Sequence, residues 1–192
     1  MDATVLQTHS KLILRQKITP MVNRYVVSTE SPDGSEGSVV AFAEQKRLTL
    51  KEQVTFYTDE SRAEALASFK ARKVIDLASG YDVVDASGTS IGMFRKDFGK
   101  SLLRSTWHVQ QPGLPTYTGT ERRLSVALLR RFADSLEWLP YHFDFSVGAS
   151  IAFSVDRKWG LRDRYAIEIN DPRLDRRLVI AMAVALDALQ SR

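Results

Sequence analysis

The sequence predicts a mainly β protein wrapped around one buried helix near its C-terminal end. Short β-rich segments separated by Gly, Pro, Asp and Ser turns fill most of residues 11–110 and return over 141–169. From Arg173 to Gln190 the pattern changes: Leu178, Val179, Ile180, Met182, Val184, Leu186 and Leu189 alternate with small alanines and leave no polar face. A helix that is apolar all round must be covered on all sides, and in a mostly β chain the cover is a sheet.

The strands follow in order. Lys11 to Ile18 alternates, with Leu12, Leu14, Gln16 and Ile18 on one side. Tyr25-Val26-Val27, the turn Ser31-Pro32-Asp33-Gly34 and Val39 to Ala43 form a hairpin. Glu52 to Tyr57 is a further β-like run. Ser61 to Lys73 is ambiguous: its Ala and Glu content favours helix, while Leu66, Phe69, Val74 and Ile75 fit no single period. A second hairpin, Tyr81 to Asp85 and Ile91 to Arg95, turns at Ala86-Ser87-Gly88-Thr89. Both hairpins carry a Tyr, a Val-Val step, a Gly-containing turn and a return strand ending in basic residues (Lys46-Arg47, then Arg95-Lys96), a short internal repeat. Glu121 to Leu139 reads as an amphipathic helix on Leu124, Leu128, Phe132 and Leu136, capped by Thr120 and stopped by Pro140. Tyr141 to Val147 pairs with Ser150 to Val155, and Tyr165 to Ile169 is the last strand. Asp171 then caps the terminal helix, with Pro172 in its first turn.

The chain has 192 residues, 27 basic and 23 acidic side chains and no Cys. That length suits one domain spanning 1–192, large enough for a core without staples. The missing Cys excludes a disulfide scaffold, a Cys-type zinc site and a thiol nucleophile. A net charge of +4 selects no partner by itself. The start Met1-Asp2-Ala3-Thr4 is acidic where a secretory leader is basic. The longest apolar run, Leu178 to Leu186, falls far short of the roughly 20 residues of a spanning helix. The expected location is cytoplasmic, peripheral at the membrane where a lipid contact exists.

Tyr81 to Gly92 with Arg95 and Lys96, Arg104-Ser-Thr-Trp107, Asp163-Arg-Tyr-Ala-Ile-Glu168, the helix opening Asp175-Arg-Arg-Leu178, and the earlier Asn23-Arg-Tyr-Val-Val27 and Ala43-Glu-Gln-Lys46 together resemble the LURP-one-related proteins, over about Leu12 to Leu189. That family shares a superfamily with the phospholipid scramblases and the Tubby C-terminal domain. The resemblance implies a closed antiparallel barrel of about twelve strands around a central C-terminal helix, and it tips the second half of Ser61 to Lys73 toward strand. Helix 121–139 then becomes a peripheral addition. A Pro-rich leading segment, a palmitoylation Cys cluster and an acidic calcium loop are absent from the sequence, so calcium-driven scrambling is not expected. The basic headgroup site of Tubby domains has no residue-by-residue match.

Several motifs bear chemistry. Gly88-Thr-Ser90-Ile-Gly92 satisfies the G-x-S-x-G pattern of a hydrolase, with His108 or His142 as base and Asp144 or Asp156 as orienter. That motif needs a strand-to-helix turn, and a return strand follows here; Gly88 is better read as a positive-φ turn residue and Gly92 as a close approach on the inner wall. His142 and Asp144 share a strand face, as an ordinary surface pair or a hydrogen-bonded one. His108 lies on the face opposite Trp107. Acids near the C-terminus (Asp163, Glu168, Asp171, Asp175) have arginine neighbours and read as ion pairs. Asp187 sits on the apolar helix, so burial demands a partner such as an arginine. The run 95–104 nets +3, with Arg95, Lys96, Lys100 and Arg104 interleaved with Phe98, Leu102 and Leu103. It is either a solvated hairpin tip or a contact for anionic lipid; no signature of a nucleic-acid-binding module accompanies it. The expected function is non-enzymatic, without cofactor or metal: a barrel binding a lipid, amphiphile or anionic membrane surface. The alternatives are a protein-interaction or regulatory scaffold docking through helix 121–139 and, remotely, a serine hydrolase using Ser90.

Overall fold

Each period-2 segment becomes one stave of a closed barrel. In the computed structural model, which describes residues 3–18, 22–46, 53–72, 80–97, 105–122, 142–158 and 164–190, twelve antiparallel strands follow one another around the wall in chain order. They are β1 (Lys11–Ile18), β2 (Val22–Glu30), β3 (Glu36–Lys46), β4 (Gln53–Tyr57), β5 (Ala65–Ala71), β6 (Tyr81–Asp85), β7 (Ser90–Lys96), β8 (Thr106–Gln110), β9 (Tyr117–Glu121), β10 (His142–Val147), β11 (Ser150–Arg157) and β12 (Arg164–Ile169). Strand β12 pairs with β1 from Lys11↔Glu168 to Arg15↔Arg164, so both would-be edge strands are satisfied. A short α1 (Ala3–Leu6) precedes the barrel, and the terminal helix α2 (Arg176–Gln190) runs along its axis.

The interior follows from alternation. Leu12 and Leu14, Tyr25 and Val27, Val54 and Phe56, Tyr81 and Val83, Phe143 and Phe145, and Tyr165 and Ile167 all point inward and are buried against α2. Every residue from Leu178 to Leu186 is at most 1% exposed, as expected for a helix without a polar face. Space around it is tight. A Cβ on Gly92 would lie 2.4 Å from the Gln110 carbonyl oxygen and 2.8 Å from Leu178 Cδ2. Gly88 has φ +86°, the left-handed turn residue expected of it.

The hairpin repeat extends to a third copy. Asp33, Asp59 and Asp85 each accept the backbone N–H of the serine two residues on, at 2.8–2.9 Å. In the second copy Arg62, with φ 60°, takes the left-handed position that Gly88 fills in the third.

Two expectations need correction. Residues 117–121 form a strand, so Glu121 ends β9 and does not open a helix; the remainder of the expected helix, 123–139, lies outside the described residues. Within β9, Gly119 is required because the Phe145 ring occupies the volume of any Cβ. The terminal helix starts at Arg176, not Arg173, and its cap is Asp175, whose Oδ1 accepts the Arg177 N–H at 2.9 Å. Asp171 instead folds the preceding turn through the Arg173 N–H at 3.0 Å, and Pro172 sits in the stretch that carries the chain from wall to axis.

Burial of α2 gives a direct test. Ala183→Asp would place an unpaired carboxylate at a 1%-exposed position on the axis, costing several kcal/mol against a total stability of about 5–15 kcal/mol. The variant is expected to be insoluble or largely unfolded by circular dichroism. A soluble protein with a near-native melting temperature would place the helix outside the core.

Candidate functional site

The two ends of the barrel differ, and α2 defines them. At the base, where α2 begins, the Arg176 guanidinium donates to the carbonyls of His9 (3.0 Å), Pro172 (2.8 Å) and Leu174 (2.7 Å), clamping the segment after α1 to the helix start. Burial pulls Arg176 below the ordinary arginine value. Gln7 donates to Asp175 at 3.0 Å, and Gln111 accepts the Asp175 N–H at 2.8 Å. Arg173 grips Asp171 and Arg177 grips Asp175 in two-pronged pairs, as expected of this acid-rich stretch. Glu168 is exposed on β12, and Asp163 lies outside the described residues. The Tyr117 hydroxyl, pushed up to about 12 by burial and its bond to Asp171, completes the base.

At the mouth, where α2 ends, the interior turns polar. Asp187 accepts hydrogen bonds from the Tyr25 hydroxyl at 3.0 Å and from the Tyr165 hydroxyl. The Tyr25 hydroxyl also receives the Gln16 amide at 3.2 Å, and burial followed by the Asp187 charge raises its pKa. An arginine is the partner expected for Asp187 from sequence; among the described residues two tyrosines, inward-facing on β2 and β12, donate hydrogen bonds to it. No local pattern links positions 25, 165 and 187, so this cluster is invisible without the fold. Glu121, 2% exposed, and Lys96 also face inward here, by alternation with Gly119 and Phe94.

The expected lipid-contact residues divide. Arg95 is exposed on the outer face of β7. Lys96, its neighbour, turns to the inner side with its Nζ 5.8 Å from the centroid of the buried Trp107 ring, a cation–π contact that fixes it to the wall. Lys100 and Arg104 lie outside the described residues. One strand end thus sends its two cations to opposite faces.

The histidines sit on the outer face. His108, opposite in facing to Trp107 as expected, has Nε2 3.2 Å from Asp97 and Nδ1 3.3 Å from Thr118. His142 Nδ1 lies 3.0 Å from Asp156 across the β10–β11 ladder, not on Asp144, which is held by Arg122 at 2.5 and 2.8 Å. A same-face pair two residues apart therefore loses to partners on neighbouring strands. Ser90 is exposed at the first position of β7, with the Gly88 turn before it and no helix N-terminus following. Among the described residues no group of three acidic or histidine side chains could hold a metal ion, and no helix is long and apolar enough to cross a membrane.

A closed twelve-strand barrel around a C-terminal helix is the architecture implied by the resemblance, and comparison of the sequence with protein families decides the assignment: the model of the LURP-one-related family matches residues 39–187. The chain belongs to the LURP-one-related family. No curated protein matches it. In this LURP-one-related protein the matched segment runs from β3 to Asp187, and so includes the mouth of the barrel and nearly all of α2.

Two measurements probe the ends. Burial raises the Asp175 carboxyl, but the Arg177 guanidinium and the Arg177 N–H outweigh burial and hold it below its usual value. The folded state therefore binds its proton less readily than the unfolded chain, so this stability is present above the unfolded carboxylate pKa of about 3.9 and is lost as pH falls through the lower folded value. Asp175→Asn is expected to keep the cap but lower stability at neutral pH by about 1 kcal/mol through the lost charged pair with Arg177, and to flatten the acid limb of a urea-midpoint profile. An unchanged acid limb would rule out this contribution. For Ser90, incubation with a fluorophosphonate probe is expected to give no labelling, since neither His108 nor His142 is directed to it. Labelling abolished by Ser90→Ala would reverse that reading.

Proposed function

We propose that this LURP-one-related barrel is non-enzymatic and binds anionic amphiphile headgroups at a membrane surface, through the mouth end of β7 and the connection that leaves it. The observation that carries the reading is Arg95, exposed at the end of β7 with no carboxylate within 4 Å among the described residues, at the head of a connection that adds Lys100 and Arg104 in sequence. Lys96 stands beside it on the inner side, its ammonium over the Trp107 ring. Each basic residue near an anionic surface contributes about 1 kcal/mol, so four give roughly 4 kcal/mol, a weak and salt-sensitive attraction suited to reversible peripheral binding. A cytoplasmic protein visiting the inner membrane face is the corresponding location. The scaffold alternative would place its docking face on residues 123–139, outside the described part of the chain, and nothing described favours it.

The test is co-sedimentation with vesicles of neutral lipid or of neutral lipid plus phosphatidylserine, at low and at physiological salt. Wild type is expected to bind anionic vesicles at low salt, lose binding as salt rises, and leave neutral vesicles largely unbound. The Arg95, Lys96, Lys100 and Arg104→Ala variant is expected to bind at least tenfold more weakly. Equal binding of the two proteins would remove this hairpin as the contact.

A further inference from the structure

Arg95 has a titratable neighbour. Its register partner across the β7–β8 ladder is His108, and both side chains lie on the outer face. Directly opposed side chains of an antiparallel pair stand about 5 Å apart at Cβ. That is inside the screening distance of about 8 Å at physiological salt, so a charge on His108 acts together with the charge on Arg95. Among the described residues the charged groups facing the imidazole are Arg95 and Asp97, both from the β7 side. Strand β9 presents the hydroxyls of Thr118 and Thr120, and the outer face of β8 itself adds Thr106 and Gln110, none of which titrates.

The two contacts of the ring suit both of its charge states. Nε2 lies 3.2 Å from Asp97 Oδ2, and Nδ1 lies 3.3 Å from Thr118 Oγ1. In the neutral ring Nε2–H donates to the carboxylate, while Nδ1 accepts from the Thr118 hydroxyl. In the charged ring Nδ1–H donates to the same oxygen, because a hydroxyl turns from donor to acceptor by rotating its hydrogen. Protonation therefore adds a positive charge without displacing a heavy atom. With His108 neutral, Arg95 and Asp97 sum to zero on this part of the outer face. With His108 charged, the sum of the three is +1.

We propose that His108 makes the β7 contact acid-enhanced, its protonation beside Arg95 strengthening docking on an anionic lipid surface. Asp97 acts as the opposing charge that holds binding down at neutral pH. This rests on the proposed function and supplies its regulation. The other two histidines serve as comparisons: His9 precedes β1 at the base, and His142 lies on β10, three strands from β7 and paired with Asp156.

The test is vesicle co-sedimentation at low salt with phosphatidylcholine plus phosphatidylglycerol, whose phosphodiester stays ionised over the range used. Wild type should bind roughly fivefold more tightly at about pH 5.5 than at about pH 7.5, the interval in which histidine ordinarily changes charge. His108→Gln should bind equally at both values, with an unaltered melting temperature, while His9→Gln should keep the wild-type enhancement. Asp97→Asn provides an independent readout, since removing the opposing charge should tighten binding roughly fivefold at about pH 7.5. Enhancement that survives in His108→Gln, whether or not His142→Gln abolishes it, would overturn the assignment to His108. Loss of enhancement in His9→Gln as complete as in His108→Gln would show a general charge effect and overturn it as well. Asp97→Asn binding no more tightly than wild type at neutral pH would remove Asp97 as the opposing charge and overturn the switch. Wild-type binding that is present but equal at the two pH values would overturn the switch and leave the proposed function standing. Absence of wild-type binding at both would overturn the two together.

Discussion

Covering an apolar helix on every side is the constraint from which the remainder of the structure follows. Nine successive residues of α2, Leu178 to Leu186, are withdrawn from solvent, and no single helix face or open sheet could do that. A closed wall can, provided its inner side chains leave room for the helix. Ala181, Ala183 and Ala185 keep α2 narrow, while Gly92 lets the wall approach Leu178, and Gly119 makes room for Phe145 within it. The aromatic rings that fill the rest, such as Phe145 stacked on Phe153 at 4.2 Å, give the packing its bulk. Polar groups are consequently pushed to the two helix ends. Arg176 finds three carbonyls at the base, and Asp187 finds two tyrosine hydroxyls at the mouth.

How legible each feature is in the sequence follows from how far apart its determinants lie. The hairpins and α2 are legible because their signals are local: alternation, an Asp-x-Ser turn, a run with no polar face. Tyr117 to Glu121 is not, because a Gly among threonines weakens a strand and Glu121 with two arginines mimics a first helical turn. The reason for Gly119 is the Phe145 ring on the neighbouring strand, a determinant 26 positions away. The two candidate caps, Asp171 and Asp175, are each followed by an arginine two residues on, so the local pattern is the same at both. Only the distance from wall to axis selects the second.

The candidate site divides in the same manner. Arg95 and Lys96 stand out together as charge, but summing charge over a run ignores the period of two that sends them to opposite faces. Sequence repeats hinted at basic strand ends in two hairpins. That the six strands running from base to mouth (β1, β3, β5, β7, β9 and β11) each carry a basic residue at or beside their last position requires the topology. The cluster of Tyr25, Tyr165 and Asp187 combines residues from both ends of the chain and has no local signature at all.

The axial helix also explains why charge can be segregated without loss of stability. Its aligned peptide dipoles place partial positive charge at the base and partial negative charge at the mouth. Asp33, Asp59 and Asp85 in the base turns lie on the side that this field favours, whereas Asp187 in the last turn of α2 stands against it and is held by the Tyr25 and Tyr165 hydroxyls. At the base the carboxylates are further held by their own turns: the Ser35, Ser61 and Ser87 hydroxyls lower Asp33, Asp59 and Asp85 below the usual carboxylate range, keeping that end negative under mildly acidic conditions. Three arginines also lie at the positive helix end: Arg173 and Arg177 are paired with Asp171 and Asp175, while Arg176 is drawn inside and surrounded by carbonyl oxygens.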